Sequence, residues 1–372
     1  MTEAFRAARI LTMNPQCPEI RDGGILVREG RILAVGGWRE VAGDGVCRDL
    51  GPGTIVPGLV NAHVHLELSH LAGRVPGGRG FEVWADGLFA AMRQGRVTEA
   101  AMERAVAEAR ASGTCYMADV VGREFDMVRR VLERQGLGGF LFNEFSGPGR
   151  EFCPRPLPGD WSPGVHALYS TDHTLARSIK EWCSSRGLPF SLHLAEVPGE
   201  NELFQSGSGE FADFLRTRRI LPKGFAVPGL SAARLARELG LLDERTLAVH
   251  CVQLDENDVE ILAASGACVC LCPRSNRRIG VGDAPVAALF AAGVPLCLGT
   301  DSLASVPDLD LWQELTAVRA LMPSKASLFD LLALVTRNPA RALGIEADYG
   351  SLAVGKRAVW AVLPDEMHDV GR

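Results

Sequence analysis

Two histidines spaced two residues apart are the first candidates for chemistry in this sequence of 372 residues. His63 and His65 stand at the end of an apolar run, LVNAHVH, which reads as a β-strand. Alternate residues of a strand project from the same face, so both imidazoles would point to one side. That arrangement suits two ligands of one metal ion. An H-x-H pair also arises by chance, so the pair alone leaves a purely structural role open.

Three further polar residues follow apolar runs later in the chain. His193 lies in FSLHLAE, His250 in TLAVHC and Asp301 in PLCLGTD. Each would lie at the carboxyl end of its strand, which is the face where barrel enzymes carry their active sites. A core histidine or a helix-capping aspartate would explain any one of them alone. Together with the H-x-H pair, they predict a shared site of imidazole and carboxylate groups.

Eight short apolar runs would position these residues. Helical patterns, with apolar residues three and four apart, alternate with the runs, as in residues 98–113, 174–187 and 256–266. Strand and helix alternating eight times is typical of an α/β fold of the (β/α)8 type, the TIM barrel. The eight predicted strands are residues 59–65, 114–120, 138–147, 164–170, 190–196, 246–251, 267–273 and 295–301.

The two ends of the chain have a different pattern. Residues 25–37 read as two short strands around a Glu29-Gly30 turn, and residues 350–363 have the same β character. We therefore predict one small β-domain formed from both chain ends, beside the barrel. The predicted boundaries are residues 1–56 and 345–372 for the small β-domain and residues 57–344 for the barrel.

The composition is that of an ordinary globular protein, with 47% hydrophobic residues, 23% charged residues and a net charge of -6. Only four of the 39 basic residues are lysines, so we expect no nucleic-acid partner. The ten cysteines lack disulfide-framework spacing and the first residues lack a signal-peptide pattern, which favours a cytoplasmic protein with reduced thiols. The uncharged stretch 284–300 is too short and too interrupted for a membrane span, so we expect no membrane segment. The sequence leaves homo-oligomer formation open.

The ordered pattern of polar strand ends resembles the amidohydrolase superfamily, whose members bind a divalent metal through an H-x-H on the first strand and a later His and Asp. Local strings narrow the resemblance to the deaminase branch, and most of all to the aminodeoxyfutalosine deaminases of the alternative menaquinone pathway. The resemblance extends from about residue 50 to 355. It rests on PGLVNAHVHLELSHL (57–71), HALYS (166–170), SLHLAEVPGE (191–200), CPRSNRRIG (272–280) and LGTDSLAS (298–305).

The resemblance implies one divalent metal ion, Zn²⁺ in preference to Fe²⁺, held by His63, His65, His193 and Asp301. Relatives with two metals need a carboxylated lysine on a middle strand, and the third and fourth predicted strands contain no lysine. The metal would activate water and Asp301 would accept the proton of that water. Glu196 would pass a proton to a ring nitrogen and then to the departing amine. His250 would hydrogen-bond the water or the tetrahedral centre, with metal ligation as the open alternative.

The implied reaction is hydrolytic deamination of the adenine ring of a nucleoside, converting aminodeoxyfutalosine to futalosine. Glu196 would also contact the substrate. His166 would hold the ribose or cap its strand, and Glu67 would contact the substrate or support a ligating histidine. Trp84 would line the pocket mouth or belong to the core. The benzoate of the substrate would meet a loop arginine, for which the candidates are Arg150, Arg155 and Arg277.

Other functions remain open on the sequence alone. A related enzyme would deaminate S-adenosylhomocysteine, methylthioadenosine or another aminated heterocycle, or would hydrolyse a chlorinated triazine. A non-catalytic scaffold on the same fold is the alternative of a different class. Such scaffolds lose metal ligands, whereas every expected ligand is present in this chain, which disfavours that alternative.

Overall fold

A computed structural model describes residues 2–42, 46–147, 151–153, 157 and 159–367 of the chain. Within these residues, fourteen strands form three sheets. In chain order the strands are β1 (Thr2–Leu11), β2 (Glu19–Arg28), β3 (Arg31–Gly37), β4 (Val46–Asp49), β5 (Thr54–Pro57), β6 (Leu59–Val64), β7 (Thr114–Val121), β8 (Gly138–Phe145), β9 (Trp161–Val165), β10 (Phe190–Leu194), β11 (Thr246–His250), β12 (Cys268–Leu271), β13 (Leu296–Leu298) and β14 (Trp360–Val362).

The six-stranded sheet takes its strands from both ends of the chain. β1 pairs antiparallel with β2 and parallel with β4 and β5, while β2 continues to β3. β14, near the other end, pairs antiparallel with β5. Glu29 and Gly30 form the turn between β2 and β3 in the left-handed region, with φ of 53° and 73°. The predicted small β-domain from both chain ends is therefore confirmed, and its boundaries at 56 and 345 stay a prediction.

The other two sheets are parallel and together form the barrel. Their strand orders are β6-β7-β8-β9 and β10-β11-β12-β13. Two isolated parallel bridges join the sheets into a closed ring, one between Ala167 and His193 and one between Val64 and Asp301. β6, β10, β11, β12 and β13 are buried at every position, as expected of parallel strands covered on both faces. The predicted (β/α)8 barrel is confirmed.

Seven of the eight barrel strands end earlier than the sequence indicates, and two of these ends concern predicted site residues. The fourth strand was expected over residues 164–170, whereas β9 ends at Val165. β6 ends at Val64, and a 3₁₀ helix, Leu66–Leu71, follows. The strand alternation that would have placed Glu67 on the same face as the H-x-H pair therefore stops before Glu67.

Helices connect the barrel strands and cover the outside of the barrel. The three helices predicted in the sequence correspond to α3 (Glu99–Ala111), α5 (His173–Ser184) and α9 (Glu256–Ser265), whose N-caps are Thr98, Asp172 and Asp255. The α-helices are α1 (Trp38–Val41), α2 (Phe81–Gln94), α3 (Glu99–Ala111), α4 (Phe125–Gln135), α5 (His173–Ser184), α6 (Glu200–Ser206), α7 (Glu210–Thr217), α8 (Ala232–Glu238), α9 (Glu256–Ser265), α10 (Pro273–Ile279), α11 (Val286–Ala291), α12 (Leu311–Arg319), α13 (Leu328–Ala333) and α14 (Arg337–Ala342). A second 3₁₀ helix spans Asp365–Met367.

No helix in the described part of the chain has the length and apolar character that crossing a membrane requires. No disulfide joins the cysteines that the structure describes, and six of these cysteines are buried. The cytoplasmic location and the oligomeric state stay predictions.

Candidate active site

The four predicted metal ligands converge at the carboxyl ends of the barrel strands. The ring centroid of His63 lies 4.8 Å from that of His65 and 4.9 Å from that of His193. Oδ1 of Asp301 lies 3.9 Å from Nε2 of His63 and 3.7 Å from Nε2 of His65. Residues from three parts of the sequence therefore surround one point because β6, β10 and β13 end at the same edge of the barrel.

Unusual backbone geometry accompanies these side chains. Ala195, His250 and Asp301 have φ of 50°, 74° and 60°, in the left-handed region that non-glycine residues seldom adopt. Gly299 approaches His63 so closely that a β-carbon at position 299 would lie 2.6 Å from the β-carbon of His63. A glycine is therefore required there. Backbone strain concentrated in this way is typical of functional sites.

A divalent ion fits the donor set. Both ring nitrogens of His63 are buried without a hydrogen-bond partner, which is costly for an imidazole unless an ion or ligand binds there. Nδ1 of His193 donates to the backbone carbonyl of His166 at 2.8 Å, which leaves Nε2 for another partner. Burial holds the pKa of His63 and of His193 well below the usual range, so both are neutral and able to ligate. Imidazoles with one carboxylate suit Zn²⁺ or Fe²⁺.

Two hydroxyl groups orient the carboxylate of Asp301. Ser275 and Ser305 both donate to its Oδ2, at 2.6 Å and 2.9 Å. Oδ1 is the oxygen that faces the histidines. The two oxygens of Asp301 therefore have different surroundings.

Glu196 is buried in the turn after β10, beside the four predicted ligands. Its Oε1 lies 3.7 Å from Nε2 of His250. Burial, with a smaller effect of the Asp301 carboxylate, raises the pKa of Glu196 to about 8. The turn itself is held by Glu200, whose carboxylate accepts the backbone N–H groups of residues 195–197. Glu196 can thus carry a proton at neutral pH.

His250 ends β11 between the metal ligands and Glu196. Its Nδ1 donates to Oδ1 of Asn276 at 2.8 Å, so its Nε2 is the nitrogen that faces the site. The ligand atoms of His250, His63 and His193 lie within 4.8 Å of one another. This geometry accommodates both metal ligation and a hydrogen bond to the reacting atoms, and both roles of His250 stay predictions.

His166 and Glu144 lie on the other side of His193. The ring centroid of His166 is 4.9 Å from that of His193, and its Nδ1 is paired with Oγ of Ser170 at 2.7 Å. Burial lowers the pKa of His166 to about 4, so the ring is neutral. Oε1 of Glu144, at the end of β8, lies 4.0 Å from Nδ1 of His193. Sequence reasoning missed Glu144, although a carboxylate at the carboxyl end of a predicted strand was an available signal.

The carboxylate of Glu67 is occupied by the backbone. It accepts the N–H groups of Gly122 and Arg123 at 3.0 Å and 2.8 Å, and also that of Glu124. In this structure Glu67 therefore holds the loop after β7, rather than supporting a ligating histidine. Its contact with substrate stays a prediction.

The remaining predicted residues lie outside the cluster or outside the described residues. Trp84 is buried and its Nε1 donates to the carbonyl of Ala304 at 3.1 Å, so it belongs to the core beside the loop after β13. Arg277 is exposed and pairs with Asp283 at 2.7 Å. The other candidates for the benzoate, Arg150 and Arg155, lie outside the described residues.

Known proteins are similar to this chain in sequence and in fold. A 5-methylthioadenosine/S-adenosylhomocysteine deaminase of Nitratidesulfovibrio vulgaris (strain DP4) is 30% identical over 371 residues, covering 92% of this chain and 79% of the relative. An aminodeoxyfutalosine deaminase of Deinococcus radiodurans is 29% identical over 327 residues, covering 81% of this chain and 77% of the relative. The crystal structure of Helicobacter pylori aminofutalosine deaminase with methylthio-coformycin has a TM-score of 0.82 at 22% identity, over 97% of this chain and 91% of that one. Residues 54–368 match the amidohydrolase family, and the chain belongs to that family.

Proposed function

We propose that this protein is a metal-dependent deaminase that hydrolyses the amine from the adenine ring of a nucleoside, converting aminodeoxyfutalosine to futalosine. The observation that carries the proposal is the convergence of three histidines and Asp301 beside Glu196, a buried carboxyl that holds a proton near neutral pH. Amidohydrolases are metal-dependent, and deaminases of adenine nucleosides are among the relatives of this chain, which supports the reaction class.

The proposed metal ligands are His63, His65, His193 and Asp301, and the proposed ion is Zn²⁺. Three neutral imidazoles and one carboxylate would neutralise only one of the two charges of a divalent ion. The occupied site would therefore keep a net positive charge, which favours a negatively charged oxygen nucleophile. A bound divalent ion supplies Lewis acidity and lowers the pKa of water from 15.7 toward about 7.

Proton transfer is the proposed task of the surrounding carboxyl groups. Overall, water adds its oxygen to the ring carbon, one of its protons ends on the ring nitrogen, and the other leaves with the amine as ammonia. Glu196, with its pKa raised to about 8, is protonated at pH 7 and would donate to the ring nitrogen. Once ionised, it would carry the second proton to the amine. Oδ1 of Asp301 would accept the first proton of the attacking water, and this proton would return to Glu196 after ammonia leaves, which restores both carboxyl groups.

Two observations bear on the substrate. The strings HLELS (65–69), HALYS and CPRSN (272–276) favour aminodeoxyfutalosine, and the Deinococcus radiodurans relative carries that name. Methylthioadenosine and S-adenosylhomocysteine form the second candidate class, because the Nitratidesulfovibrio vulgaris relative covers more of this chain. All three nucleosides present an adenine amine beside a protonatable ring nitrogen, so the same proposed chemistry would serve each of them.

Ammonia release by the Zn²⁺-loaded protein tests the proposal. We expect the highest kcat/KM for aminodeoxyfutalosine, with methylthioadenosine, S-adenosylhomocysteine and adenosine much lower. The expected preference depends on an arginine that pairs with the benzoate, for which Arg150 and Arg155 stay candidates, because the other nucleosides would leave that arginine without its partner. If S-adenosylhomocysteine or methylthioadenosine had the highest kcat/KM, that nucleoside would replace aminodeoxyfutalosine as the proposed substrate. The proposed deamination chemistry would stand. No ammonia from any of the four would contradict the deaminase proposal.

A further inference from the structure

α10 places two consecutive side chains against two different groups of the site. Ser275 donates to Oδ2 of Asp301, and Asn276 accepts from Nδ1 of His250. We propose that α10 is a positioning element whose two residues have separate tasks: Ser275 orients Asp301 for the metal, and Asn276 orients His250 for the reaction. The inference about His250 rests on the proposed function, whereas the inference about Asp301 concerns metal binding alone.

The hydroxyl groups of Ser275 and Ser305 together fix the orientation of the Asp301 carboxylate. Ser275 and Ser305 both lie on Oδ2, and their own hydroxyl oxygens are 2.8 Å apart. All three side chains are buried, so water does not compete for Oδ2. With Oδ2 engaged, Oδ1 is directed toward His63 and His65. Hydrogen bonds of this kind to a ligating group fix its orientation and contribute to metal affinity.

Asn276 decides which nitrogen of His250 carries the proton. Its Oδ1 accepts only, so Nδ1 of His250 is the protonated nitrogen and Nε2 holds the lone pair. Nε2 faces Glu196 at 3.7 Å. Both Asn276 and His250 are almost completely buried, so this hydrogen bond keeps the ring in one orientation. Asn276 would therefore act on the reaction through His250 and leave the ion in place.

The helix that carries both residues is fixed to the chain that follows Asp301. Arg274 forms a bidentate ion pair with Asp308, at 2.8 Å and 3.0 Å. Its backbone N–H donates to Glu314 at 3.2 Å. α10 thus has a defined position relative to β13 and the loop after it, which a positioning element needs.

Two conservative changes separate the proposed tasks. Ser275→Ala removes one of the two hydroxyl groups on Asp301, and we expect Zn²⁺ affinity to fall by about tenfold, with a further loss in the double variant S275A/S305A. Asn276→Leu removes the acceptor at His250 and should lower kcat by about 10- to 100-fold, with Zn²⁺ affinity and KM within about twofold of the parent. Asn276→Asp restores an acceptor oxygen and should recover most of kcat.

The measurements are chelator competition for Zn²⁺, the visible spectrum of the Co²⁺-substituted protein, and ammonia release by the Zn²⁺-loaded protein. Arg278→Ala is the matched control, because this exposed residue lies on the same helix and has no assigned role in the site. The Co²⁺ spectrum should change in S275A and stay unchanged in N276L. The Zn²⁺ affinity and the Co²⁺ spectrum need no substrate. They therefore test the proposed effect of Ser275 on Asp301 even if the proposed substrate is wrong.

Equal losses of Zn²⁺ affinity in S275A and N276L would overturn the proposal, because a helix that merely holds the fold together predicts a common defect. Unchanged affinity in S275A and in the double variant would also overturn it. The proposed effect of Asn276 on His250 would be contradicted by an N276L protein with the kcat of the parent, or by an N276D protein as slow as N276L. A parent protein that releases no ammonia from any nucleoside would contradict the proposed function. The proposed effect of Ser275 on Asp301 would still be tested by the Zn²⁺ affinity.

Discussion

Glu196 and the proposed metal ligands differ in what each residue contributes to the site. Glu196→Gln preserves size and hydrogen-bonding capacity and removes the transferable proton, so kcat should fall by a factor of about 10² to 10⁴ with metal content unchanged. His63→Ala removes a proposed ligand whose ring nitrogens have no hydrogen-bond partner, so the metal itself should be lost. Elemental analysis and ammonia release on both variants check this. Equal metal loss in the two variants would contradict the role proposed for Glu196.

The residues that the sequence could identify are those whose position follows from one strand. His193 and His250 could be found because a polar residue ending an apolar run stands out locally. Ser275, Asn276 and Glu200 could not, since their partners depend on where a helix or turn docks in three dimensions. These three side chains act on other groups of the site, and their contacts appear only in the folded chain.

At the scale of elements, the period of the apolar residues predicts which segments are strands or helices more accurately than it predicts where those segments end. Burial of both faces gives a barrel strand a continuous apolar run, which is visible without a structure. The end of a strand is set by local turns instead. The 3₁₀ helix over Leu66–Leu71 interrupts the alternation after β6, and this explains why Glu67 faces the backbone of the next loop.

Glu314, on α12, contacts Arg274 of α10, and burial of its carboxylate in this contact is unfavourable. Its Oε1 lies 3.6 Å from Nη1 of Arg274, yet burial outweighs this ion pair and raises the pKa of Glu314 from 4.5 to about 8. A carboxyl with a higher pKa in the folded than in the unfolded chain binds more protons when folded. The free energy of unfolding should therefore decrease as pH rises from about 4.5 to about 8.

Glu314→Gln removes this titration and keeps an acceptor oxygen for the Arg274 N–H. Within the window, Glu314 costs the parent about 1 kcal/mol per pH unit, so the stability of the variant relative to the parent should rise between pH 5 and pH 8. Denaturant unfolding at several pH values measures the difference. Glu260→Gln, at an exposed position on α9, is the control. A stability difference that is constant with pH would show that Glu314 is ionised throughout.

At the scale of the whole molecule, the proposed metal site lies across both seams of the barrel. The two four-stranded sheets meet at the isolated bridges that involve His193 and Asp301. His63 lies on β6 of the first sheet and His65 directly follows that strand, so the four proposed ligands come equally from the two halves. The backbone also crosses this seam, where the N–H groups of Thr300 and Asp301 donate to the carbonyl of His63 at 3.0 Å and 3.1 Å. One bound ion would join the halves where strand pairing is sparse.

Removal of the ion should therefore lower the stability of the entire barrel. An ion present at 1,000 times its Kd stabilises the folded state by about 4 kcal/mol, which predicts a clear fall in Tm on chelation and recovery when Zn²⁺ is returned. Elemental analysis should find close to one divalent ion per chain. Calorimetry at fixed protein concentration should show the full shift in Glu196→Gln and a much smaller shift in His193→Ala, since only the second variant loses a proposed ligand. An unchanged Tm after complete metal removal from the parent protein would contradict tight binding of the ion to the folded chain, and with it the proposed set of ligands.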